Sequence, residues 1–252
     1  MKKYSLLAIS LLFACMANAQ LFNIAGVDVG YLYVGPKLGG NASFNSMDAN
    51  TGTEKKANYG YQFGGVAKFG ISEKLSIQPE LIFSSKGVKH EGDIFTSTAN
   101  TKYFGIPIVA KYAFIAISGV DIYGSGGFYT DYLTGMVHTE EYEGQPDFEE
   151  KVTDLSTFNR VDFGLNFGGG ANIPLKNKDI LNIDLRLTVG LTNFVKDNSA
   201  YSSRNTSVQL SAVYLVDLTK WVHFRGNSTK KSGTQEQNSA PAGNSKVDRT
   251  NE

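Results

Sequence analysis

Cysteine is almost missing from this 252-residue chain: Cys15 is the only one. Residues 1–19 read as a secretory signal peptide. Lys2 and Lys3 supply the positive start, Leu6 to Phe13 the apolar stretch, and Ala17-Asn18-Ala19 a small-x-small cleavage site before Gln20. A lipid-anchored Cys15 is the competing reading of Leu12-Phe13-Ala14-Cys15, but Phe13 is bulky for that motif. With Cys15 inside the removed segment, the expected mature chain has no cysteine, which excludes disulfides, thiolate catalysis and cysteine-ligated metals.

Long apolar runs are also missing. The N-terminal run is about half of the ~20 residues that a transmembrane helix needs, and none follows, so a helical membrane protein is excluded. Charge of one sign does not dominate either. The 24 Lys and Arg face 24 Asp and Glu, and loss of Lys2 and Lys3 leaves 22 against 24. So balanced a chain has no electrostatic bias toward nucleic acid. Histidine (3) and proline (6) are scarce, whereas 27 Gly, 16 Phe and 13 Tyr suit an all-β chain with many turns.

What is present is alternation. From Tyr31 to Val216 the chain falls into eight stretches of two-residue period, which put alternate side chains on opposite faces of a sheet. Leu32, Val34, Leu38 and Phe44 oppose Tyr33, Lys37, Asn41 and Ser43. Tyr59, Tyr61, Phe63 and Phe69 oppose Gln62, Gly64 and Lys68. Ile77, Leu81 and Phe83 oppose Gln78, Glu80, Ser84 and Lys86. Phe104, Ile106, Ile108 and Tyr112 oppose Tyr103, Gly105 and Lys111. The fifth stretch, around Ile122 to Tyr132, is glycine-rich and less regular. Val161, Phe163, Leu165 and Phe167 then oppose Arg160, Asp162, Asn166 and Gly168. Leu181, Ile183, Leu185 and Leu187 oppose Asn182, Asp184, Arg186 and Thr188, and Val208, Leu210 and Tyr214 oppose Ser207, Gln209 and Ser211.

Expected connections alternate long (45–58, 89–100, 137–157, 195–205) and short (72–74, 115–119, 174–179). That pattern fits an eight-stranded antiparallel up-and-down transmembrane β-barrel, with long loops outside the cell and both termini periplasmic. The polar face of the sixth and seventh stretches is mostly Gly, Asn and Thr, with Arg160, Asp162, Asp184 and Arg186 as its charges. This suits a narrow interior better than a water-facing surface. The apolar face is expected to meet lipid, with aromatics in two belts: Phe44, Tyr59, Tyr61, Phe83, Phe104 and Tyr132 toward the loops, and Phe69, Tyr112 and Phe114 toward the turns. The barrel is assigned to residues 20–218 and a polar, disordered periplasmic tail to 219–252.

Lys37, Lys68, Glu80, Lys111, Arg160, Asp162, Asp184 and Arg186 are expected to form internal ion pairs that plug the barrel; a narrow polar conduit for small solutes is the alternative. No catalytic, cofactor or metal site is expected. A lipid-modifying enzyme built on His90 with Ser84 or Ser85 lacks a carboxylate partner. Phe167-Gly168-Gly169-Gly170 keeps strand period and is not a phosphate loop. Glu140, Glu141, Glu143, Asp147, Glu149, Glu150 and Asp154 make the third long loop acidic without EF-hand spacing, a hydrated surface that is also a candidate for partner recognition. Expected partners are outer-membrane lipid, the barrel-assembly machinery and an unspecified protein.

Four segments carry a resemblance to a known family: Gly35-Pro36-Lys37-Leu38-Gly39-Gly40-Asn41, Ile77-Gln78-Pro79-Glu80-Leu81 running to Ser84-Ser85-Lys86-Gly87, Tyr103-Phe104-Gly105-Ile106-Pro107, and Asp162-Phe163-Gly164-Leu165. They resemble the PorT-type outer-membrane β-barrel family of Gram-negative bacteria over about Val34 to Val216. The resemblance implies an outer-membrane protein, sometimes described as porin-like, with one branch linked to protein secretion, and it implies no catalytic residues. Gly105 departs from the family's frequent carboxylate before Ile-Pro, which puts an interior ion pair there in question. The polar tail also departs from a last strand that usually ends the chain on an aromatic, a role that Tyr214 is expected to take internally.

Overall fold

The computed structural model describes residues 23–24, 27–45, 54–92, 95–142, 144, 146, 148–196 and 203–219. Residues 1–22, which include the expected signal peptide, and Glu143, Asp147 and the residues from 220 onward lie outside the described residues. Eight strands follow one another: β1 (Tyr31–Asn45), β2 (Asn58–Gly70), β3 (Leu75–Glu91), β4 (Phe95–Ile117), β5 (Val120–Tyr142), β6 (Val161–Pro174), β7 (Ile180–Gly190) and β8 (Asn205–Asp217). Each pairs antiparallel with its neighbour in sequence. β8 returns to β1, from Asn205 opposite Asn45 to Asp217 opposite Tyr33, and closes the ring. Closure leaves the wall with no unpaired edge.

Alternation dictates the two faces. Along β7, Asn182, Asp184, Arg186 and Thr188 are buried while Leu185 is 55% exposed. The same holds for Leu38 (69% exposed) beside Lys37 (2%). An exposed face of Leu38, Phe63, Phe83, Phe163, Leu185 and Leu210 is far too apolar for water, and the polar interior is the inverse of a soluble barrel. Hydrocarbon is the solvent this surface fits. Aromatics on it fall into register: Phe63 opposite Phe83, Phe83 opposite Phe104, and Phe104 opposite Tyr132. Ring centroids are 5.6 Å apart in the first pair and 5.0 Å in the second. This row brings together Phe83, Phe104 and Tyr132 of the expected loop-side belt and adds Phe63.

The short turns match expectation, and positive φ at Ser118 (50°) and Gly119 (85°) marks the tight turn between β4 and β5. Two of the expected long loops do not. Residues 89–91 and 95–100 and much of 137–157 are strand, so β3, β4 and β5 run well beyond the wall. The strands β4 and β5 have 23 residues each and β7 only 11, against the roughly 9–11 that cross a bilayer. The extra length makes a five-stranded flange above one side of the mouth. Glu54–Lys56 pairs with β3 on one flank, and Phe148–Val152 pairs with β5 on the other. Period two persists there among Thr, Ser, Lys and Glu, which reads as loop by composition although the ladder simply continues.

Candidate functional site

The interior is filled in layers. At mid-height, β3 projects Glu80, β1 Lys37 and β7 both Asp184 and Arg186. The Arg186 guanidinium donates two bonds to Glu80, at 2.7 and 3.1 Å, and a third to Asp184. Lys37 Nζ donates to Glu80 Oε2 at 2.9 Å, sharing that oxygen with Arg186, and Gln78 Nε2 donates to Oε1 at 2.7 Å. Lys111 Nζ lies 3.2 Å from Asp184 and donates to Asn182 Oδ1 at 3.1 Å, with its ammonium 4.6 Å from the Tyr123 ring centroid. Five charges therefore form one chain: Lys37, Glu80, Arg186, Asp184, Lys111. All five side chains are at most 3% exposed. Such burial is tolerable only because each charge meets an opposite one or a hydrogen-bonding partner.

Small residues make room for these groups. Gly168 is paired with Arg186, and a Cβ at Gly168 would meet Arg186 Cγ at 3.0 Å. Gly170 likewise lies beneath the Tyr123 ring, whose Cζ a Cβ would meet at 2.9 Å. The Gly168-Gly169-Gly170 run sits inside strand β6, with no helix after it.

A second pair lies nearer the mouth. Lys86 Nζ bonds Asp131 at 2.5 Å, with the ammonium 4.8 Å from the Tyr129 ring and 5.4 Å from the Tyr103 ring. Sequence reasoning left this pair out of the network. Lys86 stood on the polar face, but Asp131 lay in the irregular fifth stretch. Its spacing of two from Tyr129 and Leu133 was the available signal. Asp131 also resolves the departure at Gly105: the two are directly opposed, and Asp131's carboxylate fills the space a side chain at Gly105 would take. The neighbouring strand supplies the carboxylate instead.

The other expected residues divide. Asp162 is inside and accepts from Asn205 Nδ2 at 3.0 Å, with no lysine or arginine at ion-pair distance among the described residues. Lys68 is inside toward the turns, 4% exposed, and its ammonium sits 5.9 Å from the Tyr31 ring rather than on a carboxylate. Arg160 is a correction. It is exposed at the rim, its guanidinium reaching the Tyr132 hydroxyl at 3.5 Å. Strand period begins only at Val161, after the irregular stretch that the Phe158–Val195 bridge ties down, so parity does not extend back to Arg160.

Apolar layers close both ends. Toward the mouth, Tyr103, Leu133, Met136 and Leu155 pack with Phe158 and Phe194; toward the turns, Val66, Val213 and Leu215 pack with Tyr33 and Ile180. Between them remains a cavity of about 20 Å³ lined by Gln62, Asn166, Arg186 and Gln209. Gln62 Nε2, both amide atoms of Asn166 and Arg186 Nε have no protein partner, so one water there would satisfy several orphaned groups.

Ser84 and Ser85 are buried in the wall, and His90 lies in the flange opposite Ser97. At ~3.3 Å per residue, His90 is about 20 Å along the strand from Ser84, too far for proton transfer. The acidic residues are also in the flange. Glu140 and Glu141 extend β5, and Glu149 and Glu150 pair with Thr139 and His138. Hydrogen bonds from His138 and from Tyr142 (3.1 Å each) hold the Glu140 carboxyl below its usual range. Among the described residues no group of three His, Asp or Glu is arranged to hold a metal ion.

No curated protein matches the chain. Among solved structures it is similar to Ail, the attachment invasion locus protein of Yersinia pestis, at 14% identity over 73% of this chain and 98% of that one, with a TM-score of 0.36. It is similar to the outer membrane protein OprG from Pseudomonas aeruginosa at 11% identity over 74% and 95%, with a TM-score of 0.43. Neisserial surface protein A gives 13% identity over 73% and 96%, with a TM-score of 0.42. A family model described as outer membrane protein beta-barrel domain matches residues 18–196, from ahead of β1 to beyond β7. The chain belongs to that family and is a small outer-membrane β-barrel protein.

Proposed function

We propose that this barrel is a non-conducting structural or accessory protein of the bacterial outer membrane, exported by residues 1–19 and folded there with the barrel-assembly machinery. The observation that carries the reading is the filled interior. A cavity of about 20 Å³ has room for a single water, too little for an ion that carries a shell of several waters. Planar-bilayer recording of the refolded protein is expected to show no steady conductance. Large, long-lived channels would sink the plugged reading in favour of a solute pore.

The flange, with the acidic Glu140, Glu141, Glu149 and Glu150, is the surface offered to a protein partner outside the cell. The motifs around Pro36, Pro79 and Pro107 support a place in the PorT-type branch. Non-enzymatic character is supported by the distance between Ser84 and His90. The unequal lengths of the two ends support flange outside and turns inside. A cysteine placed at Ser97 is expected to react with a membrane-impermeant maleimide on intact cells, and one at Lys176 only after lysis. The opposite pattern would invert the topology.

A further inference from the structure

We propose that the outer wall at the base of the flange binds the phosphate of an outer-leaflet glycolipid, with Lys56, Lys89 and Lys102 as its cationic ligands and Tyr59 as the platform beneath. The assignment rests on the topology proposed above. Strand arithmetic sets the level. From Leu75, at the turn end of β3, to Gly87 the strand rises about 30 Å at ~3.3 Å per residue and a tilt near 40°, the thickness of a hydrocarbon core. Tyr59, 81% exposed, lines the concavity beside Asn58, whose side-chain amide donates to Asn100 Oδ1 at 2.7 Å and so sets this stretch level with Gly87 and Asn100, at the expected interface. Lys89 stands two residues higher, about 5 Å above the hydrocarbon boundary, where headgroup phosphates lie.

The lysines are arranged in a way that calls for an anion. Lys56 and Lys89 are directly opposed across the ladder, and like charges so placed repel. Glu91 offsets them at 2.8 Å from Lys56, with both side chains well exposed, and Glu54 acts on Lys56 from farther off. Lys89 and Lys102 have no carboxylate at ion-pair distance among the described residues. Glu54 and Glu91 lie one row farther from the membrane, so the side facing the lipid is cationic. Lys102 is exposed on β4, opposite Ser85 and just above the Phe83–Phe104 row, from where its stem can carry the ammonium upward. Lys56, Asn58, Tyr59, Lys89 and Thr98 line a concavity of about 600 Å³, ample for a phosphorylated sugar. A phosphate monoester brings up to two negative charges and three acceptor oxygens, which suit two or three ammonium groups and the Thr98 hydroxyl.

The test is a titration of the full-length refolded protein in dodecylmaltoside with diphosphoryl lipid A, bound lipid being counted by native mass spectrometry. Saturable binding is expected, about tenfold weaker in the K89Q/K102Q double variant and unchanged in K151Q, which lies on the far edge of the same face. Lys102 and Lys151 are exposed and Lys89 half-buried, and unheated electrophoretic mobility will verify that each variant is folded. Equal affinity for fully dephosphorylated lipid A, or equal affinity of K89Q/K102Q and the parent, overturns the proposal. Competition by millimolar inorganic phosphate as effective as by the lipid overturns the glycolipid assignment. Because the titration needs no membrane, its failure is separate from a failure of the topology, which the maleimide labelling reads.

Discussion

Replacing Glu80 with glutamine is expected to destabilise the folded barrel by about 3–5 kcal/mol, the usual cost of breaking a buried ion pair from one side. Glu80 receives both arms of Arg186 and the ammonium of Lys37. Without its charge, Lys37, Arg186 and Lys111 share Asp184 alone in a water-poor interior. The loss is to be read from the urea midpoint of unfolding in phospholipid vesicles. A second variant separates the pair from the burial: removing all five charges, Lys37, Glu80, Lys111, Asp184 and Arg186, together in favour of Met and Leu is expected to recover most of the stability, since a well-packed apolar replacement has no charge to desolvate. An E80Q barrel as stable as the parent would mean the central charges contribute nothing to holding the wall.

Gly35→Ala is expected to impair closure of the ring, with a cost of about 3 kcal/mol or more, at or above the top of the range for overpacking. The seam between β1 and β8 is paired at Lys37 with Val213 and again at Val34 with Val216, with no bridge between. Pro36 has no N–H to give, so the ladder breaks there. Beside it, Gly35 lets the Tyr214 carbonyl come so close that any Cβ would fall within the oxygen's own space. The clash is with main chain, which has no rotamer to move away. Expressed G35A should stay largely in the unfolded electrophoretic form, while Gly135→Ala, where a Cβ meets nothing within 4 Å, should fold like the parent. Normal folding of G35A would show that the seam can shift to accept a methyl group.

The fold was legible because period two is a direct record of the pleat and survives any local noise in propensity. Strands β6 and β7 alternate without error, and Gly168 pairs with Arg186 across the hairpin they form. The flange was misread because long polar strands look like loops when no face is apolar; nothing in Lys89 to Asn100 advertises that it is paired. The central network was readable residue by residue, since a charge on the inner face of a narrow barrel has nowhere else to go. Arg160 failed at a strand start, where parity has no meaning, and Asp131 was lost among Gly124, Gly126 and Gly127, whose missing side chains hide the alternation. Which charge meets which could not be read, because it depends on how far opposite walls approach across the bore.

The two 23-residue strands β4 and β5 meet at a two-residue turn whose residues both have positive φ. Such a hairpin can zip from its tip using only contacts close in sequence, and it carries about twice the length that crossing the membrane requires. A growing chain thus has an early, self-sufficient ribbon at its midpoint, onto which β3 and β6 can add before either terminus is involved. On that route the pairing of β1 with β8, which closes the ring, would be the final step.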